Sequence, residues 1–345
     1  MARKNRQNSL LIFHIMYLKK FFITLIGGLL ISIGCAAQSS LKFHNNGKFK
    51  ILQLTDVHYI HNNPKATLAL ENIDAVLKAE KPDLVVLTGD VIFGKPALES
   101  MKTVLDRIER FKVPFALTFG NHDDENGMSR KELYDLVSTY PHHIGKAVEG
   151  ITGQANYLLP ILSADGKKTA EVLYVFDSNT YSRIEGVKGY DYIHFDQIDW
   201  YRKESSRLTN ENGGKPLPAL AFFHIPLPEY AIAASDESCD LIGTRKEKCC
   251  SPVLNSGLFA CMKEMGDVKG IFVGHDHDDD YAVLYQGILL AYGRYSGGHT
   301  VYFNLDINGA RVIELTEGES NFQSWIRLRN GDIINRINVP ESFTR

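Results

Sequence analysis

Five short polar segments stand out along the chain: Asp56-Val57-His58, Gly89-Asp90, Gly120-Asn121-His122-Asp123, the lone His224, and Gly274-His275-Asp276-His277. Carboxylate and imidazole donors suit Zn, Mn and Fe, and none of the five segments holds a cysteine that would favour softer ions. Two neighbouring cations need a bridging group, which a two-oxygen carboxylate provides. Such a pair stabilises both the attacking and the leaving oxygen of an in-line displacement and lowers the pKa of a bound water. Each fragment alone has an ordinary explanation. A Gly-Asp after a strand is often a turn, and one His at a strand end is more often a satisfied core residue. All five together, in order, point to a two-metal centre.

These segments can converge because each ends a strand pattern: Phe49–Thr55, Asp83–Thr88, Pro114–Phe119, Ala219–His224 and Val268–Val273. Ala69, Ile73, Val76 and Leu77 predict a helix over residues 64–80. Met101, Val104, Leu105, Ile108 and Phe111 predict a second, and the capping box Ser129-Arg130-Lys131-Glu132 opens a third. This alternation predicts an α/β core, and in open α/β sheets ligands bind beyond the carboxyl ends of the strands. The second half is richer in strand patterns. Asn156–Leu162 and Ala170–Phe176 flank the turn pair Asp165-Gly166, and Asp196–Leu208 reads as a helix. Further strands are expected at Tyr281–Tyr285, Ile288–Ala291, Thr300–Leu305 and Arg311–Leu315, with hairpin signals at Asn308-Gly309 and Asn330-Gly331. Residues 229–256 are polar and aperiodic and read as an insertion.

The chain has 345 residues, of which 44% are hydrophobic and 23% charged, enough for a real core. Residues 1–37 hold five basic and no acidic residues and include the apolar run Phe21–Gly34 behind Lys19-Lys20. That is the pattern of a secretory signal peptide, followed by one domain over 38–345. Cleavage after Ala37 and lipidation of Cys35 within Ser32-Ile33-Gly34-Cys35 are equal alternatives. The expectation is therefore an exported protein, periplasmic, secreted or an outer-membrane lipoprotein, with membrane contact only through Cys35. Beyond residue 37 the chain has 33 basic against 41 acidic residues, a net charge of −8, which disfavours a nucleic-acid partner. Cys239, Cys249, Cys250 and Cys261 lack zinc-site spacing and read as disulfide staples or free thiols.

The five motifs over residues 48–316 resemble the calcineurin-like metallophosphoesterase superfamily. Phe223–Tyr230 and Ala291-Tyr292-Gly293-Arg294 resemble its purple-acid-phosphatase-related subgroup, which includes a fungal cell-cycle regulatory phosphatase. The resemblance implies a two-sheet β-sandwich flanked by helices, with a dinuclear metal site at the strand edge. It implies that Asp56, His58 and His277 hold one divalent ion and that Asn121, His224 and His275 hold the other, with Asp90 bridging. His122 would assist the leaving group and Asp123 would orient His122. Three residues after the bridging Asp, where purple enzymes carry an iron-ligating Tyr, this chain has Phe93, so a purple di-iron centre is not expected; Zn, Mn or Fe(II) pairs remain open.

Outside the five motifs, Arg294 in a Gly-rich segment reads as a phosphate clamp or a surface residue. His61 lines the pocket mouth or is a solvated loop residue, and His299 reads as a structural hydrogen-bonding group. His142-His143 reads as surface, Trp200 and Tyr201 as core, and some of Asp276, Asp278, Asp279 and Asp280 as partners of the ligand histidines. The activity expected is hydrolysis of a phosphomonoester, on a small phosphorylated substrate or a phosphoprotein, by in-line attack of a metal-bridging hydroxide. A phosphodiesterase is the alternative, and a non-catalytic scaffold is disfavoured by the complete ligand set.

Overall fold

The computed structural model describes residues 40–343. The expected signal segment 1–37 and Cys35 lie outside the described residues. Two mixed sheets form the body. In the first, β1 (Lys48–Leu54), β2 (Leu84–Thr88) and β3 (Phe115–Thr118) run parallel, and β11 (Gly309–Thr316), β12 (Phe322–Leu328) and β13 (Ile333–Val339) extend it antiparallel. Its order is β13-β12-β11-β1-β2-β3. The second comprises β4 (Tyr157–Leu162), β5 (Thr169–Val175), β6 (Ala219–Phe222), β7 (Leu241–Ile242), β8 (Val268–Val273), β9 (Ala282–Tyr285) and β10 (Ile288–Tyr292). Its order is β4-β5-β6-β8-β10-β9-β7, with β5, β6, β8 and β10 parallel.

Leu173, Val175, Leu220, Phe222 and Phe272 pack in one apolar cluster with Ile51, Leu52, Val85 and Leu87 of the first sheet. The alternate residues Val172, Tyr174, Ala221, Phe223 and Ile271 enter a second cluster with residues of α4 (Phe195–Glu211) and α6 (Leu258–Met265). Strands buried on both faces are apolar at nearly every position, which is why β6 reads as an unbroken hydrophobic run and β2 as one up to Thr88. α1 (Thr67–Glu80) and α2 (Ala97–Glu109) contribute Ile73, Val76, Val104 and Leu105 to the first cluster. α3 (Arg130–Val137) begins at the expected capping box, with Ser129 and Glu132 bonded reciprocally. Trp200 and Tyr201 are buried as expected, and Tyr201 donates its hydroxyl to Asp267 at 2.5 Å.

The β4–β5 hairpin turns at Asp165-Gly166 as expected, Gly166 taking the left-handed conformation at φ 73°. Three expectations are corrected. Thr300–Leu305 is a loop, because its backbone bonds to the side chains of the loop after β8: Asn304 N donates to Asp278 Oδ1, and Tyr302 O lies 3.1 Å from His277 Nδ1. Asn308-Gly309 makes no hairpin turn; neither residue has a positive φ, and Gly309 opens β11. Segment 229–256 is partly built into the fold, through α5 (Pro228–Ala233) and the edge strand β7. The four described cysteines are unbridged. No helix among the described residues is long and apolar enough to cross a membrane.

Candidate metal centre

The ligand loops follow β1, β2 and β3 in one sheet and β6 and β8 in the other, so the site lies where the parallel parts of both sheets end. Backbone bonds tie these loops together: Asp56 N donates to Gly89 O, His58 N to Asp90 O, and Gly274 N to His224 O. Asp56, His58, Asp90 and His275 hold positive φ angles of 53°, 44°, 49° and 83°. For residues with a Cβ this costs on the order of 1 kcal/mol each, and such strain gathers where side chains must be aimed. Gly120 and Gly274 allow the loops to approach, since a Cβ at Gly120 would overlap Asp90 Oδ1 and one at Gly274 would overlap Thr55 Oγ1.

The side chains meet as expected. His277 Nε2 lies 3.5 Å and His224 Nε2 3.9 Å from Asp56 Oδ1. Asp90 Oδ2 lies 3.1 Å from His224 Nε2 and 3.4 Å from His58 Nε2, placing one carboxylate oxygen between imidazoles of the two ligand sets. Asp56, His58 and His277 form one group that could hold a metal ion, and Asp90, His224 and His275 form another. His224 Nδ1 faces Thr88 O at 2.8 Å and His277 Nδ1 faces Tyr302 O, which turns each Nε2 inward.

This donor set fits two divalent ions. Both ring nitrogens of His58, Nε2 of His275 and Oδ1 of Asn121 are buried without a hydrogen-bond partner. Buried polar atoms left in that state are costly, and a bound cation satisfies them. Burial opposes ionisation of Asp56 and Asp90, yet the surrounding imidazoles, His224 foremost, hold both carboxyls below the ordinary range. Burial lowers the His224 pKa, but Asp90 and Asp56 outweigh it and push the value up to about 9. Burial and the neighbouring His224 bring His275 down to about 3.

Two expected roles are corrected. Asp123 does not orient His122. Its Oδ2 accepts the N–H groups of Asp90 and Gly120, and its Oδ1 those of Val91 and Ile92, at 2.8–3.1 Å. It is a staple between the loops after β2 and β3, and burial and the nearby Asp90 push its pKa up to about 7. Arg294 is neither a phosphate clamp nor a surface residue. It is 4% exposed, its Nη1 meets Asp280 Oδ2 at 2.6 Å, and its Nε and Nη2 donate to Ile307 O.

The acidic run of the last motif mostly holds backbone. Asp276 accepts from Cys250 N and the Tyr292 hydroxyl, Asp278 from Asn304, Asp279 from Lys246 N and Glu247 N, and Asp280 from Thr244 N. These bonds strap residues 244–250 across the loop after β8. His61 bonds Thr103, and His299 is exposed while its N–H donates to Lys65 O. The expectation that His143 lies on the surface is corrected: it is buried against Phe115 and Tyr134.

Four residues at the site were not foreseen. Glu125 Oε2 lies 2.6 Å from His122 Nδ1. Tyr181 Oη accepts from Asn121 Nδ2 at 3.3 Å. Tyr190 packs edge-on to His275 with centroids 4.3 Å apart, and Tyr302 stacks on His277 at 4.4 Å. The i,i+3 spacing of Glu125 from His122 was the only local signal available.

A family model described as calcineurin-like phosphoesterase matches residues 49–279. The chain is 35% identical over 299 residues to "Probable inactive purple acid phosphatase 29" of Arabidopsis thaliana, covering 76% of each chain. It is 33% identical over 320 residues to "Phosphatase DCR2" of Saccharomyces cerevisiae, covering 82% of this chain and 54% of that one. A dimetal phosphatase from Danio rerio shares the fold at a TM-score of 0.60 with 16% identity, over 84% of this chain and 98% of that one. The chain thus belongs to the calcineurin-like phosphoesterase family and is a metal-dependent hydrolase of phosphoric ester bonds. Its subgroup is that of the purple acid phosphatase-like proteins and the yeast phosphatase, as the motifs implied.

Proposed function

We propose that the chain is a phosphomonoesterase acting on a small phosphorylated substrate or a phosphoprotein. The observation that carries this is the meeting of seven donors, several of them buried and unpartnered, beside the half-buried His122. Asp56, His58 and His277 would hold one ion, Asn121, His224 and His275 the other, and Asp90 would stand between them. Two divalent ions, when bound, supply charge neutralisation for the phosphoryl oxygens and activate water for in-line attack. The His122 N–H donates to Asp90 Oδ1 at 2.9 Å, which fixes the ring's base beside the bridging carboxylate. With its Nδ1–H held by Glu125, the doubly protonated ring has its Nε2–H left to give to the leaving oxygen, and becomes the neutral Nδ1–H tautomer as it does so. The sequence of residues 1–37 supports an exported location.

The test is turnover of p-nitrophenyl phosphate against bis-p-nitrophenyl phosphate by Zn-, Mn- and Fe(II)-loaded protein. Monoester preference, with Asp90→Asn and His122→Ala each losing about 100-fold or more, is the expected result. Diester preference makes the protein a phosphodiesterase. Two bound metals with no turnover of any ester return the scaffold reading.

A further inference from the structure

His122 is held by a partner that comes from neither the metal motifs nor the residue beside it. Residues 122–125 form a turn in which Glu125 N donates to His122 O, and the Glu125 carboxylate folds back so that Oε2 lies 2.6 Å from His122 Nδ1. The other nearby acids are engaged elsewhere: Asp123 accepts four backbone N–H groups, and Asp124 Oδ1 lies 3.5 Å from Arg130 Nε. Phe93 packs edge-on to the His122 ring, with centroids 5.0 Å apart at 88°, so the ring is held from a second side.

Tyr181, from the segment between β5 and α4, accepts from Asn121 Nδ2 at 3.3 Å. Accepting from Asn121 Nδ2 fixes that carboxamide with its unpartnered Oδ1 turned inward. Stacking on Tyr190, centroids 5.6 Å apart, holds the Tyr181 ring although it is 42% exposed.

We propose that Glu125 is the positioning residue of His122: its carboxylate accepts the Nδ1–H and so aims the Nε2–H of the protonated ring at the leaving oxygen, the ring being left as the Nδ1–H tautomer once that proton is given. This rests on the reading of the site as a phosphoesterase with His122 as proton donor. An orienting carboxylate of this kind acts through the imidazole it holds, and its loss typically costs 10- to 100-fold. The effect must scale with how much the leaving group needs a proton.

The experiment compares kcat on phenyl phosphate, a poor leaving group, with kcat on p-nitrophenyl phosphate, a good one. Wild type, Glu125→Ala, Glu125→Gln and His122→Ala are measured alongside melting temperature and metal content. Glu125→Ala is expected to lose roughly 10- to 100-fold on phenyl phosphate and much less on p-nitrophenyl phosphate, with KM and metal content unchanged. Glu125→Gln, which keeps an acceptor oxygen, recovers part of the loss. Imidazole 15N spectra of the metal-free protein should show His122 as the Nδ1–H tautomer in wild type and a mixture in Glu125→Ala. An equal loss on both substrates, no loss on either, or an unchanged His122 tautomer overturns the inference. A wild type inert toward both esters overturns the functional reading instead, and the tautomer then decides the Glu125 contact alone.

Discussion

His224 Nε2 and Asp90 Oδ2 stand 3.1 Å apart across the seam between the two sheets. His224 follows β6 of one sheet and Asp90 follows β2 of the other. Any ion bound by both therefore cross-links the sandwich at its edge.

Metal binding should consequently raise thermal stability. A cation present at a hundred times its Kd stabilises the folded state by about 2.7 kcal/mol if it does not bind the unfolded chain. Scanning calorimetry with and without Zn or Mn checks this. His224→Ala should abolish most of the rise, and a melting point indifferent to metal would contradict the cross-link.

Asp123→Ala should destabilise the protein by several kcal/mol, since four backbone N–H groups lose their acceptor at once, each worth roughly 1–3 kcal/mol when left buried. Asp123→Asn should retain part of this, because the carboxamide keeps one oxygen. Urea titration gives the two values. A change in kcat with unaltered stability would instead return Asp123 to the role of orienting His122.

Arg294→Ala should cost about 3–5 kcal/mol, the usual penalty for stranding a buried partner, here Asp280. KM for the phosphate ester should stay constant in the protein that still folds. An increased KM with wild-type stability would restore a phosphate-binding role.

His143 makes stability depend on pH. Burial lowers its pKa from 6.5 to about 4, so between these values the unfolded chain binds the extra proton. Stability is full above pH 6.5, falls as pH drops below it, and has lost about 3 kcal/mol near pH 4. The measurement is the difference in unfolding free energy between wild type and His143→Phe at pH 5 and pH 7.5. Parallel pH dependence in the two proteins would refute this account.

The cluster of candidate metal ligands was legible because their residue types are unusual and each follows a strand whose apolar run marks where it ends. The sheet core was legible for the same reason. Glu125, Tyr181 and Tyr302 were not, since their roles depend on how loops from separate elements fold back. Tyr181 lies 60 residues from Asn121 in the chain. Thr300–Leu305 alternates like a strand, but Asp278 and His277 claim its polar backbone groups. Arg294 was misread because a guanidinium in a Gly-rich loop looks available until a buried carboxylate is placed beside it.

The strap over residues 244–250 is held largely through its main-chain N–H groups, at Thr244, Lys246, Glu247 and Cys250. A grip of that kind is indifferent to most side chains. Lys248 can therefore be exchanged while the path of the strap beside the metal loop is retained. Lys246 and Glu247 differ, as the Lys246 ammonium donates to Asn304 O and the Glu247 carboxylate binds Asp278 N and the Tyr302 hydroxyl. The fold thus separates the part of the rim that can drift in evolution from the part that must hold still.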